Sequence, residues 1–140
     1  IHPGEAWEEH FKQLKTYLPL VKQRVSPDRP FGLGLRIANQ ATKDLLKEGV
    51  FAEMANWLKA NDMYVFTING FPYGGFHRQV VKDLVHEPDW TNIDRVDYTE
   101  RLFDLLSNLL PEGVEGSIST SPLSYKPWYK GKSSEKQKGA

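Results

Sequence analysis

Residues 64–77 read YVFTINGFPYGGFH, and the fold turns on how this stretch is read. Val65, Phe66 and Ile68 suit a buried strand, which stops at Asn69-Gly70 and opens into a loop of glycine, proline and aromatic residues. A plain tight turn has no use for Asn69, Phe71, Tyr73 and His77. Loops that set an amide, aromatic rings and an imidazole directly after a parallel-type strand are where α/β proteins hold ligands.

Outward from this stretch, the apolar spacing switches between helical and strand periods. Upstream, Trp7, Phe11, Leu14, Leu18, Val21 and Val25 recur at steps of three and four, one face of a helix. Pro19 falls inside that pattern and predicts a kink or a break. Residues 31–38 (FGLGLRIA) predict a strand with Leu33, Leu35 and Ile37 on one side and Gly32, Gly34 and Arg36 on the other. A second helix follows, burying Leu45, Leu46, Val50, Phe51, Met54, Trp57 and Leu58, with Gly49 as the point where it splits. Downstream, a short helix is predicted over 79–86. A long one follows through Tyr98, Leu102, Leu105, Leu106 and Leu109, and a last strand lies in GSIST at 116–120. Such α-β-α-β-α-β alternation implies parallel strands joined by right-handed crossovers.

Strand parity sharpens the expectation. Strict alternation sets Val65, Thr67 and Asn69 against Phe66 and Ile68, and Ser117, Ser119 and Ser121 against Ile118 and Thr120. Each strand then ends in a polar group: Arg36, Asn69, and Ser119 or Ser121. In a sheet covered by helices on both faces these groups are costly to desolvate. In a β/α barrel they point into the wet mouth at the C-terminal ends of the strands. A barrel is therefore the expectation, with a doubly wound sheet as the alternative. A complete eightfold barrel takes about 250 residues, so the 140 residues of this chain correspond to a half barrel. The first helix has no strand before it, and Ile1-His2 reads as the end of a lost first strand.

Composition bounds the remaining possibilities. Hydrophobic residues make up 39% of the chain and aromatics 12%, as in a globular domain. The 18 basic and 18 acidic side chains balance, which gives no general argument for nucleic acid as a partner. Lys130, Lys132, Lys136 and Lys138 lie in residues 129–140, a stretch expected to be a disordered lysine-rich tail. Cysteine is absent, which removes disulfides and thiolate metal sites and fits a cytoplasmic protein. No apolar run reaches the roughly 18 to 20 residues needed to span a bilayer.

Several stretches carry a family resemblance: IHPGEAWEE, LKTYLPLVKQRVSPDRPFGLGLRIA, YVFTINGFPYGGFH, VKDLVHEPDW and PEGVEGSISTSPLSYKPW. Together they resemble the N-terminal part of EboE-type metabolite traffic proteins, within the xylose isomerase-like, sugar phosphate isomerase/epimerase-like TIM barrel superfamily. The resemblance covers nearly all of residues 1–128 and implies the N-terminal half of a (β/α)8 barrel. It also implies a role in processing and moving small, often isoprenoid-type, metabolites. The alternatives are a fragment of a metal-dependent sugar isomerase or epimerase, and a non-catalytic ligand-binding or assembly module. In the superfamily the metal ligands lie mostly in the second half, so a divalent cation is expected only in a full-length protein and no metal ligand in this chain.

The candidate substrate-binding residues are His2, Arg36, Asn69, Phe71, Tyr73, Ser119 and Ser124. Arg36 suits a phosphate or carboxylate, Asn69 a sugar-like hydroxyl, and Phe71 and Tyr73 an apolar wall. His77 and Lys126 are the candidate catalytic groups, with surface positions as the plainer reading of each. The histidines at 2, 10, 77 and 86 lack zinc-motif spacing, and the serines lack a nucleophile elbow. The expected partner is a small metabolite, with no nucleic acid and no membrane insertion. Unpaired sheet edges also suggest a homo-oligomer.

Overall fold

The structure is a computed structural model that describes residues 5–74 and 84–129. Leu33 and Leu35 alternate with small or polar neighbours in β1 (Phe31–Arg36). The strand lies parallel to β2 (Met63–Asn69), and β2 lies parallel to the short β3 (Ser117–Ser119), in the order β1-β2-β3. Four α-helices accompany this sheet among the described residues: α1 (Trp7–Val25), α2 (Asn39–Leu45), α3 (Val50–Ala60) and α4 (Ile93–Leu109). All four contribute to one hydrophobic cluster, in which Trp7, Phe11, Leu45, Met54, Leu58, Tyr98 and Leu102 meet Leu33, Leu35, Ile37, Val65 and Ile68. The helices therefore cover one face of the sheet. No helix among the described residues is long and apolar enough to cross a membrane.

The other face carries Gly32, Gly34 and Arg36 from β1, Tyr64, Phe66, Thr67 and Asn69 from β2, and Ser117 and Ser119 from β3. Phe66 is 39% exposed there, and Gly34 and Ser117 are also exposed. Strict alternation fails in β2, because Leu33 pairs with Val65 while Gly34 pairs with Thr67. Phe66 is thus an extra residue, a bulge that puts both Val65 and Ile68 into the core. Past the bulge, Thr67 and Asn69 share a face with Gly34 and Arg36.

The expectation of a half TIM barrel, xylose isomerase-like in form, is corrected by this topology. The described residues form a small α/β domain with three parallel strands and helices packed on one side. The barrel expectation rested on the cost of burying Arg36, Asn69 and Ser119 under a second helical layer. A sheet covered on one side avoids that cost for Asn69 and Ser119, which are exposed, while Arg36 is partly buried. Ile1-His2, expected to end a first strand, lies outside the described residues.

Two local expectations also meet their outcome. α1 continues through Pro19 rather than breaking there. The buried residues of α1 are Trp7, His10, Phe11 and Leu14, while Tyr17, Leu20, Val21 and Val25 are exposed. The carbonyl that Pro19 leaves unbonded therefore falls on the solvated half of the helix, where water can satisfy it. Gly49 separates α2 from α3, with a φ of 78° that favours glycine. That turn leaves Leu46 63% exposed instead of buried.

Gly70 closes β2 under tight constraint. A Cβ there would lie 2.6 Å from Leu102 Cδ1 and 2.9 Å from the Ser119 carbonyl oxygen. Gly70→Ala should therefore force β3 away from β2 and cost about 1–3 kcal/mol in urea unfolding. A variant as stable as wild type would mean that β3 is not docked this closely.

Candidate functional site

The three polar strand ends fall in one row. Arg36 is the register partner of Asn69, and Asn69 is the register partner of Ser119. Ser119 Oγ donates to Asn69 Oδ1 at 2.8 Å, and the Phe71 backbone N–H donates to the same oxygen at 3.1 Å. One residue pair back, the Thr67 and Ser117 hydroxyls are 2.8 Å apart. Arg36 closes the row on the β1 side. Its Nε and Nη2 are shielded from solvent and have no hydrogen-bond partner among the described residues. An unsatisfied buried guanidinium edge is rare, because losing its water costs several kcal/mol unless a partner arrives.

Behind the row, α4 holds the strand-end loops with polar side chains. Arg95 is completely buried and donates through Nε to the Pro88 carbonyl at 2.7 Å and through Nη1 to the Gly70 carbonyl at 2.8 Å. Its guanidinium carbon lies 5.6 Å from the ring centroids of both Tyr73 and Tyr98. Burial pulls the Arg95 guanidinium below its ordinary value. Tyr98 donates to the Ile37 carbonyl at 2.6 Å, and burial pushes its hydroxyl up to about 12. Arg101 reaches Asn39 Oδ1 at 2.6 Å and Thr42 Oγ1 at 3.1 Å, which ties α4 to α2.

A cleft of about 500 Å³ opens beside these loops, lined by Tyr73, Glu87, Asp89, Asp94 and Trp128 among others. Asp89, only 7% exposed, anchors it. One carboxylate oxygen accepts from the Thr91 backbone N–H and hydroxyl, and the other accepts from the hydroxyls of Ser124 and Tyr129. Trp90 adds two bonds to the same C-terminal loop, from its backbone N–H to Leu123 and from its indole to Ser121. Next to this clamp, His86 stacks on Tyr125 with ring centroids 4.8 Å apart and also touches Phe71 and Trp128.

The structure thus divides the sequence candidates. Arg36, Asn69 and Ser119 come together in the row. Tyr73 lines the cleft, half-buried against Tyr98. Burial, with Asp94 nearby, raises its hydroxyl above the ordinary value. Phe71 packs on His86, and Ser124 binds Asp89. Lys126 is exposed at the start of a 3-10 turn, Lys126–Tyr129. His2 and His77 lie outside the described residues. Among the described residues no three His, Asp or Glu side chains converge as a metal-ligand set. Sequence reading passed over Asp89, Arg95 and the aromatic role of His86. The one signal that could have found Asp89 is the Asp-x-Thr spacing to Thr91, which marks a side chain turned onto its own loop.

Burial pushes the Asp89 carboxyl up, but the hydrogen bonds from Ser124, Thr91 and Tyr129 outweigh it and hold the group below its ordinary 3.8. A carboxyl depressed in the folded state contributes stability that is complete above the unfolded value and fades as pH falls through the folded one. Asp89→Asn should therefore lose about 1–3 kcal/mol at neutral pH. Its stability should also fall less steeply than that of wild type as pH drops below about 4. Urea unfolding across this pH range tests both; parallel pH profiles would remove Asp89 from its role as the loop clamp.

No protein-family model matches the chain, and neither a curated protein nor a solved structure matches it.

Proposed function

We propose that this chain binds a small polar metabolite bearing a carboxylate or phosphate at the C-terminal ends of its parallel strands. The observation that carries this reading is the row Arg36, Asn69, Ser119, with two guanidinium nitrogens of Arg36 buried and without a partner among the described residues. A carboxylate or phosphate supplies the acceptors those nitrogens lack, in the planar geometry that suits arginine. Asn69 Oδ1 is occupied by Ser119 and Phe71, which leaves the Nδ2 hydrogens to donate to a ligand hydroxyl. None of the three side chains is a general base at neutral pH. The row is equipped to bind and orient rather than to move protons.

Within this reading the chain is the small-molecule site of an EboE-like metabolite traffic protein, in which holding a metabolite matters more than converting it. The family resemblance of residues 1–128 supports this assignment, and the cysteine-free composition supports a cytoplasmic setting. Among the described residues β1 and β3 form the two edges of the sheet, which supports self-association through an edge strand.

Calorimetric titration with glycolate and with inorganic phosphate tests the site. Arg36→Gln should weaken binding about 10- to 100-fold, the value of charge-assisted hydrogen bonds. Ser119→Ala should weaken glycolate binding less. Equal binding of both anions by wild type and Arg36→Gln would refute the proposal.

A further inference from the structure

The cleft beside Asp89 differs in character from the strand-end row. Two aromatic side chains, Tyr73 and Trp128, and three carboxylates, Glu87, Asp89 and Asp94, line it together with Pro88, Thr91 and Asn92. No lysine or arginine is among the described lining residues. Among the described residues the nearby arginines do not line the cleft: Arg95 lies buried behind Tyr73, with hydrogen bonds to Pro88 and Gly70 and a charge that partly offsets Asp89, and Arg101 is bound to α2. The described walls therefore present negative charge and π-faces to whatever enters.

We propose that this cleft is a second binding site, for the alkylammonium group of a small organic cation. Tyr73 and Trp128 offer ring faces that attract a cation, an interaction that strengthens as water is excluded. Asp94, exposed in the first turn of α4, and Glu87 add charge at the rim. Asp89 adds a fixed, nearly buried negative charge. A bare metal ion suits the site poorly. Both oxygens of Asp89 already accept two hydrogen bonds each, so neither is left as an inner ligand. An organic cation needs no such ligand, and a volume of about 500 Å³ suits a small molecule. This site is independent of the anion row and stands or falls separately.

Choline is the probe, compared with its uncharged isostere in which carbon replaces the ammonium nitrogen. Binding is followed by NMR of protein labelled at its tryptophan indoles. Wild type should bind choline saturably and the neutral isostere about tenfold more weakly. Trp128→Leu and Asp94→Asn should each weaken choline severalfold while keeping the cooperative urea unfolding of wild type, which reports a folded domain. Asp94 is exposed, so its variant keeps the test alive should Trp128→Leu fail to fold. Equal binding of choline and isostere, no saturable choline binding by wild type, or unchanged affinity in Asp94→Asn would each overturn the proposal.

Discussion

One-sided burial is the constraint on which the other features rest. Three parallel strands carry most of their apolar residues toward a single layer of helices, and the opposite face keeps glycines, hydroxyls, Phe66, Asn69 and Arg36. Parallel sheets are ordinarily covered on both faces, because their strands read as continuous apolar runs. Here the runs are interrupted by Gly32, Gly34, Thr67, Ser117 and Ser119, which would waste a second layer. The same arrangement that spares these residues desolvation sets the strand ends where a ligand can reach them.

Helix α4 converts that sheet into a platform with defined edges. Its apolar face, Leu102, Leu105 and Leu106, fills the core. Its polar residues do something different, since Arg95, Tyr98 and Arg101 reach across 25 to 62 positions of sequence, the first two to carbonyls of the strand-end loops and Arg101 to a side chain of α2. Two of these are full hydrogen bonds to backbone carbonyls that a strand end would otherwise leave without partners. The loops after β1 and β2 are thus held by α4 as much as by the sheet.

Much of this was legible in the residues, and the remainder was hidden for physical reasons. The alternation of Leu33, Leu35 and Ile37, and the helical spacing of Tyr98, Leu102, Leu105 and Leu109, each report a local period that packing then used. Arg36, Asn69 and Ser119 were found by counting to the strand ends. The bulge at Phe66 was not legible, since Val65, Phe66 and Ile68 are all apolar and either phase looks buried. The barrel was the wrong inference because a bare face and a barrel mouth excuse the same polar groups. Arg95 and Asp89 escaped because their partners are distant carbonyls and hydroxyls, and no spacing in the chain announces such bonds.

The extra residue in β2 has a consequence for how this segment can vary. Everything after Phe66 is counted from a shifted origin, so the segment tolerates the loss of that one residue better than the gain of another. Losing Phe66 would remove the bulge and leave strict alternation, with Val65 and Ile68 still in the core, whereas gaining one more residue there would rotate the strand end by half a period, sending Asn69 toward Leu102 and Ile68 into water. An insertion compatible with this domain must therefore fall elsewhere, and residue 66 acts as a phase marker for the whole strand end.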